Sequence, residues 1–274
     1  MGTNELEKSV SGAPRHISGH LHVTGASRFI GEDVLPADLH HVKVLQSPHA
    51  HARIKDIDFA AAAAMPGVLA VLTWRDIPGP NQIGHPIMDE PLLPEDRVTY
   101  AGQPVAVVVA RSAWTAEQAA AAIQVDYETL APVLSVAEAL AKGELYVPER
   151  RIERGDLVAA FASSTHVLEG MVTNGGQEHF YMETQRCLAI PGEDEEITLY
   201  TATQSTAEVQ EVAARVLGKR AKDVTVDVPR LGGAFGGKER TATLWACLTA
   251  LACFRTGKPV LLRLTRTEDM IATG

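Results

Sequence analysis

Pro229 to Arg240 reads P-R-L-G-G-A-F-G-G-K-E-R. Just upstream, Val224, Val226 and Val228 alternate with other residues, the period-two pattern of a strand. Downstream, Leu244 to Phe254 is a long apolar run closed by Gly257, the pattern of a buried helix with a glycine stop. A strand, a glycine-rich loop and a helix in that order aim free backbone N–H groups at an anion. Four glycines among the six residues from Gly232 to Gly237 also let the backbone approach a ligand closely, since no Cβ intervenes.

Gly232, Gly237 and Lys238 satisfy G-x-x-x-x-G-K, the phosphate-binding loop of nucleotide hydrolases. That motif continues with Ser or Thr, whose hydroxyl holds magnesium. Here the next residue is Glu239, and a carboxylate repels nucleotide phosphates. The nucleotide reading is disfavoured on that ground. Lys238 is expected to be a structural or surface cation.

A second informative run, Asn174 to Thr184, reads N-G-G-Q-E-H-F-Y-M-E-T. It gathers Gln177, Glu178, His179, Tyr181 and Glu183 behind a glycine turn. Glu178 and His179 invite an acid–base or metal reading, but neighbours in an extended chain point to opposite faces. Satisfaction of these groups inside the fold is the competing reading.

The chain has 274 residues, enough for two ordinary domains. It is 46% hydrophobic and 22% charged, the balance of a globular protein with an ordinary core. A formal net charge of -9 argues against a nucleic-acid partner, which needs basic clusters. No apolar run approaches the ~18 residues of a membrane span. The start, M-G-T-N-E-L-E-K, lacks a basic-then-apolar signal, so the expectation is a cytoplasmic protein without membrane association. Cys187, Cys247 and Cys253 have no C-x-x-C spacing and cannot supply the four thiolates of an iron–sulfur cluster. Buried structural thiols are expected for the two in the apolar helix. His20 with His22, and His49 with His51, would share a strand face. No acidic or cysteine partner stands at a defined spacing, so a metal site there is disfavoured.

Taken in order, residues 1–15 are polar and expected to be loose, and Thr24 to Pro36 is rich in turns. Leu39–Leu45, Arg53–Phe59 and Val68–Thr73 are expected strands, with a helical turn at Ala60–Met65. Residues 77–97 are proline-rich and expected to be an extended loop. Pro104–Ala110, continuously apolar, predicts a strand buried on both faces. Ser112 caps an alanine-rich helix, Ala113–Ala122, before a strand at Ile123–Tyr127 and a short helix at Val136–Ala141. Strands are then expected at Thr165–Val172, Cys187–Ile190, Ile197–Thr203 and Val260–Leu264. Ser205 to Glu208 spells a capping box for a helix closed by Gly218. The fold class expected is α+β, with a leading domain over residues 15–141, a linker over 142–160 and a second, incomplete domain over 161–274. No element is expected after Leu264, which would leave a sheet edge and the apolar helix uncovered.

With both glycine runs in view, the sequence resembles the molybdenum-binding subunit of the xanthine dehydrogenase and aldehyde oxidase family. T-G-A-S-R-F, A-G-Q-P-V-A-V-V-V-A with the alanine helix after it, and V-D-Y-E-T-L-A-P-V resemble that family's small leading domain, of α/β-hammerhead type. G-Q-E-H-F-Y-M-E-T and R-L-G-G-A-F-G-G-K-E-R resemble its first two cofactor motifs, in the first part of a molybdopterin-binding α+β domain. The likeness runs from about residue 15 to the end.

The resemblance implies a molybdenum-pterin cofactor and hydroxylation of an electron-poor carbon with water as the oxygen source. Gln177 matches the glutamine that hydrogen-bonds a molybdenum oxo ligand, and its amide is a neutral donor suited to that task. Phe235 and Gly236 match the pair lying against the metal centre. Glu239 matches a substrate-contacting position of the purine-oxidising branch, which implies hypoxanthine or xanthine as substrate. An aldehyde or N-heterocycle substrate, or a non-catalytic assembly fragment, remains the alternative. No residue here matches the family's general base, expected on a C-terminal metal-domain polypeptide, so the isolated chain is expected to be inactive. The 2Fe-2S clusters and FAD are expected on partner chains: an iron–sulfur subunit and an FAD-binding subunit.

Overall fold

The computed structural model describes residues 16–31 and 35–273. The expectation for residues 1–15 lies outside the described residues, as do 32–34 within the turn-rich opening segment. The elements that follow are α1 (Gly19–Val23), β1 (His40–Gln46), β2 (Ala52–Asp58), α2 (Ala60–Ala63), β3 (Val68–Leu72) and β4 (Arg97–Val98). Next come β5 (Pro104–Ala110), α3 (Ala113–Ala122), β6 (Gln124–Thr129), α4 (Val136–Lys142) and α5 (Leu157–Ser163). The rest comprises β7 (Arg186–Pro191), β8 (Ile197–Thr201), α6 (Thr206–Val216), β9 (Val224–Asp227), α7 (Thr241–Thr256), β10 (Val260–Arg263) and α8 (Arg266–Ala272).

Two sheets form: a seven-stranded one in the order β3-β5-β1-β10-β7-β8-β9, and a three-stranded one, β4-β2-β6. The large sheet crosses the 142–160 stretch. β1 from the leading half pairs in parallel with β10 from the trailing half, His40 opposite Val260 and Val42 opposite Leu262. β10 then pairs antiparallel with β7, Leu262 opposite Cys187. The last strand in sequence is thus central in space, and its edges are covered on both sides rather than left open as expected.

β5 shows why its sequence is apolar at every position. Val107 and Val109 point into the main core, whereas Ala106, Val108 and Ala110 pack on Ala116, Ala119 and Ala120 of α3. Both faces are covered, so period-two patterning disappears. α7 is buried at every residue from Ala242 to Cys253. A helix apolar all round must be enclosed, and this one lies between the sheet and α6 in a cluster with Val209, Val212 and Val216. The α+β class agrees with the sequence reading, as does the order of the leading half apart from the short α1 and β4; α5 begins inside the expected 142–160 linker, and the expected loop over 77–97 ends where Arg97 opens β4. That loop is held by Asn81, whose side chain exchanges two hydrogen bonds with the backbone of Leu93.

Four expectations are corrected. Thr165–Val172 is not a strand; it is exposed, Leu168 at 98% and Val172 at 93%, because it meets no partner strand among the described residues and β-branched residues extend only on a pleated, half-buried surface. Leu264 is not followed by bare chain: Thr265 and Glu268 form a complete capping box that starts α8. The Ser205–Glu208 box does not close. The Ser205 N–H donates to Thr203 Oγ1 at 3.0 Å, and Glu208 instead accepts from Thr243 Oγ1 at 3.4 Å. His20 and His22 sit on the helix α1, not on a strand face.

Candidate functional site

The two glycine-bearing runs, about fifty residues apart in sequence, meet at the start of α7. Glu183 makes the junction. Its N–H donates to the Gly232 carbonyl at 3.0 Å, and its Oε2 accepts from the Gly232 N–H at 2.8 Å. A Cβ on Gly232 would stand 2.5 Å from that of Glu183, so the close approach requires glycine. Lys238 closes the junction from the other end of the loop. It is fully buried and donates from Nζ to the Glu183 carbonyl at 2.6 Å. Its Nζ also lies 3.4 Å from Glu183 Oε2 and 4.5 Å from the centre of the Tyr181 ring. Burial draws the Lys238 ammonium below its ordinary value, opposed by the Glu183 charge. Lys238 is therefore a structural cation, and Glu183 its counter-ion.

Behind the loop lies a polar core. Tyr181 is fully buried, and its hydroxyl donates to Asp269 Oδ1 of α8 at 2.9 Å. Burial first, and the Asp269 charge further, push that phenol up to about 12, so it keeps its proton. The Gln185 amide nitrogen lies 3.0 Å from the Tyr181 hydroxyl, 3.1 Å from the Gly237 carbonyl and 3.0 Å from Thr241 Oγ1, and shares its two hydrogens among these three acceptors. Arg266 of α8 donates to the carbonyls of Tyr181, at 2.5 Å, and Met182, at 2.9 Å, and lies over the Phe180 ring.

Of the residues singled out in the sequence, Phe235 and Gly236 lie on the exposed side of the loop that this core holds. Phe235 is 77% exposed with φ of +53°, a conformation that non-glycine residues seldom adopt and that clusters at functional sites. Gly236 follows at φ +96°, with only the His179 ring near the place of a Cβ, at 3.8 Å. Phe180, in the other run, also has a left-handed φ, of +50°. Among the described residues, the backbone N–H groups of Phe235 and Gly236 have no acceptor. The loop thus presents an open peptide edge on its exposed side, while on its buried side Gly232, Gly237 and Lys238 are held by hydrogen bonds to Glu183, Gln185 and Gln204. That arrangement fits a cofactor ligand set that accepts hydrogen bonds from backbone N–H groups. Gln177 and Glu239 are both exposed, and neither side chain bonds another described residue. Glu178 turns back to accept from the Phe180 N–H at 3.2 Å, and His179 packs on Gly237, where a Cβ would come within 2.7 Å of its ring. The structure joins the runs of Gln177 and Phe235–Gly236; Glu239 sits one residue beyond Lys238 on the same loop.

Sequence reasoning overlooked Gln185, Arg266 and Asp269. The T-R-T-E run from Thr265 to Glu268 was the available signal for α8, from which two of them project. The cysteines are all buried, and burial raises each thiol, Cys187 and Cys253 to about 12. Among the described residues no helix is long and apolar enough to cross a membrane, and no three His, Cys, Asp or Glu side chains converge as a metal site.

Comparison with known proteins accords with this geometry. The family model described as "Aldehyde oxidase and xanthine dehydrogenase, a/b hammerhead domain" matches residues 24–131, and that for the "Molybdopterin cofactor-binding domain" matches residues 141–274. The chain is 40% identical over 262 residues to aldehyde oxidase 2 of Cavia porcellus, covering 94% of this chain and 19% of that protein. It is 38% identical over 261 residues to xanthine dehydrogenase/oxidase of Gallus gallus, again 93% of this chain and 19% of the relative. Among solved structures, quinoline 2-oxidoreductase from Pseudomonas putida 86 superposes with a TM-score of 0.79 at 32% identity, over 94% of this chain and 35% of that one. The chain thus spans about a fifth of the length of the curated relatives it matches. Two adjoining family domains, the joined glycine runs and the shared fold lead to one conclusion: this chain belongs to the xanthine dehydrogenase and aldehyde oxidase family of molybdenum hydroxylases.

Proposed function

We propose that this chain supplies part of the active site of a molybdenum hydroxylase that oxidises a carbon next to nitrogen in a purine, hypoxanthine or xanthine. The observation that carries the reading is the open peptide edge at Phe235–Gly236, pinned from behind by Glu183, Lys238 and Gln185. A molybdenum-pterin cofactor, when bound, supplies the two-electron oxidation and the route by which water oxygen reaches the substrate. Phe235 and Gly236 would face that group with the Gly236 N–H as donor, and the Gln177 amide would donate to an oxo ligand without protonating it. Phe235, exposed on the same turn, would exclude water from one side of the centre. Glu239 would hold the substrate, accepting from a ring N–H when ionised or donating to a ring nitrogen or oxo group when protonated.

The general base and any further substrate contacts belong to the remaining metal-domain polypeptide. Phe161, Leu168, Met171, Val172 and Met182 are exposed apolar side chains that would pack against it. All three cysteines being buried, the electrons would leave through 2Fe-2S clusters and FAD on partner chains. Similarity to aldehyde oxidases and xanthine dehydrogenases is about equal, so the purine assignment rests on Glu239.

The test is Glu239→Ala in the native complex, comparing kcat/KM for hypoxanthine with that for an aromatic aldehyde. Loss of a charged hydrogen bond of ~1.5–3 kcal/mol lowers hypoxanthine turnover by ~10–150-fold. Aldehyde turnover, which does not need that bond, stays within about threefold. Equal losses, or none, would reject the purine reading.

A further inference from the structure

We infer that Asp269 is a positioning residue, fixing the Phe235–Gly236 peptide edge through Tyr181 and Gln185; the inference rests on the reading that this edge faces the cofactor. Asp269 lies outside both glycine runs, on α8, and is 1% exposed. Its two oxygens are used differently. Oδ1 accepts from the Tyr181 hydroxyl at 2.9 Å and from Thr273 Oγ1 at 2.9 Å. Oδ2 accepts from the Gln185 N–H at 3.2 Å, with Arg266 Nη1 at 3.8 Å.

Because the Tyr181 proton points at Asp269, the lone pairs of its oxygen face the Gln185 amide. The same amide nitrogen reaches the Gly237 carbonyl and the first residue of α7, Thr241. Gly237 is thereby held on its carbonyl by Gln185, while the Tyr181 ring, 2.7 Å from where a Cβ would stand, blocks its other side. Gly236 is the next residue back. The Gly237 N–H in turn donates to the Ala234 carbonyl at 2.8 Å, closing a turn whose central peptide is Phe235–Gly236, so the residue that Gln185 holds is also the one that closes the turn carrying the Gly236 N–H.

The carboxylate is needed as such. An asparagine at this position presents an N–H₂ on one side: facing Gln185 it meets an N–H that can only donate, and facing Tyr181 it cannot take the phenol proton, so that hydroxyl must turn while the Thr273 hydroxyl keeps the Asp269 carbonyl at 2.6 Å. A buried donor left facing a donor is costly, and the network relaxes by turning.

The experiment uses the native protein with its co-purifying chains, as wild type, Asp269→Asn and Tyr181→Phe. Amide hydrogen exchange is read for residues 229–240 and for the core helix over 244–254. Molybdenum content and the EPR spectrum of the half-reduced metal are read in parallel. Asp269→Asn is expected to speed exchange in 229–240 at least ~10-fold, as for loss of a buried hydrogen bond, with 244–254 unchanged. The EPR g-values are expected to shift or molybdenum content to fall. Equal acceleration in both regions would make Asp269 a residue of general stability only, and no acceleration in 229–240 would leave it no role in the loop; either overturns the inference. Selective loop acceleration with unchanged metal content and spectrum would uphold the positioning of the loop and reject the cofactor-facing role of Gly236. Should Asp269→Asn fail to accumulate, Tyr181→Phe keeps ring, volume and charge, and is expected to speed exchange in 229–240 alone, about threefold.

Discussion

Replacing Lys238 by Met keeps most of the side-chain volume and removes the buried charge, and its effect can be worked from the contacts. Lys238 has no exposed surface, and its ammonium meets the Glu183 carbonyl, the Glu183 carboxylate and the Tyr181 face. Glu183 would remain with its side chain 6% exposed and one fewer counter-charge. Breaking a buried ion pair from one side costs ~3–5 kcal/mol, because the surviving charge is uncompensated. Here the lower end applies, since Gly232 still donates to Glu183 at 2.8 Å and Arg186 stays 3.9 Å from its other oxygen. A loss of about 3 kcal/mol corresponds to a fall in melting temperature of ~6–12 °C for a unit of this size. The assay is urea and thermal unfolding of wild type, Lys238→Met, Glu183→Gln and the double variant. The cycle should return a coupling energy of at least ~1 kcal/mol, the double variant being less damaged than the sum of the singles. A single-variant loss under ~0.5 kcal/mol, or strict additivity, would mean that the pair does not clamp the two runs together.

Gly237→Ala should disturb the loop without touching a charge. The new methyl would stand 2.7 Å from both the His179 and Tyr181 rings, and Tyr181 cannot move without leaving Asp269. Overpacking of ~1–3 kcal/mol and reduced molybdenum retention are expected by unfolding and elemental analysis; wild-type values for both would show that the loop yields freely. The α8 cap predicts a pH dependence. Burial alone would raise Glu268, but Lys43 at 2.7 Å and the N–H and hydroxyl of Thr265 outweigh it and hold the carboxyl below its ordinary 4.5. A carboxyl depressed in the folded state contributes stability that is complete above the ordinary value and disappears as pH falls through the folded one. Wild type should therefore lose stability faster than Glu268→Gln as pH drops below about 4.5; parallel curves would contradict the cap and its ion pair.

Local signals carried the elements whose cause is local. Ser112 before an alanine run, the glycine at 257 and the continuous apolar stretch at 104–110 each express a nearest-neighbour rule, and the structure forms those elements as read. Thr165–Val172 failed because a strand needs a partner, and β-branched residues do not name one. The Ser205 box failed because Thr203 and Thr243 lay within reach of the same groups and took them first.

The sequence by itself determined the two glycine runs and the family chemistry they imply, since backbone approach and left-handed φ demand particular residues at particular places. It also determined that α7 must be enclosed, since a helix without a polar face has no way to lie on a surface. Only the tertiary structure decided that β10 is an interior strand, because parallel pairing with β1 depends on a segment about two hundred residues away. Only it decided that Lys238 and Glu183 neutralise each other and that Asp269 stands behind Tyr181. Charges and hydrogen-bonding groups act over a few ångströms in space, and distance along the chain carries no information about which of them will meet.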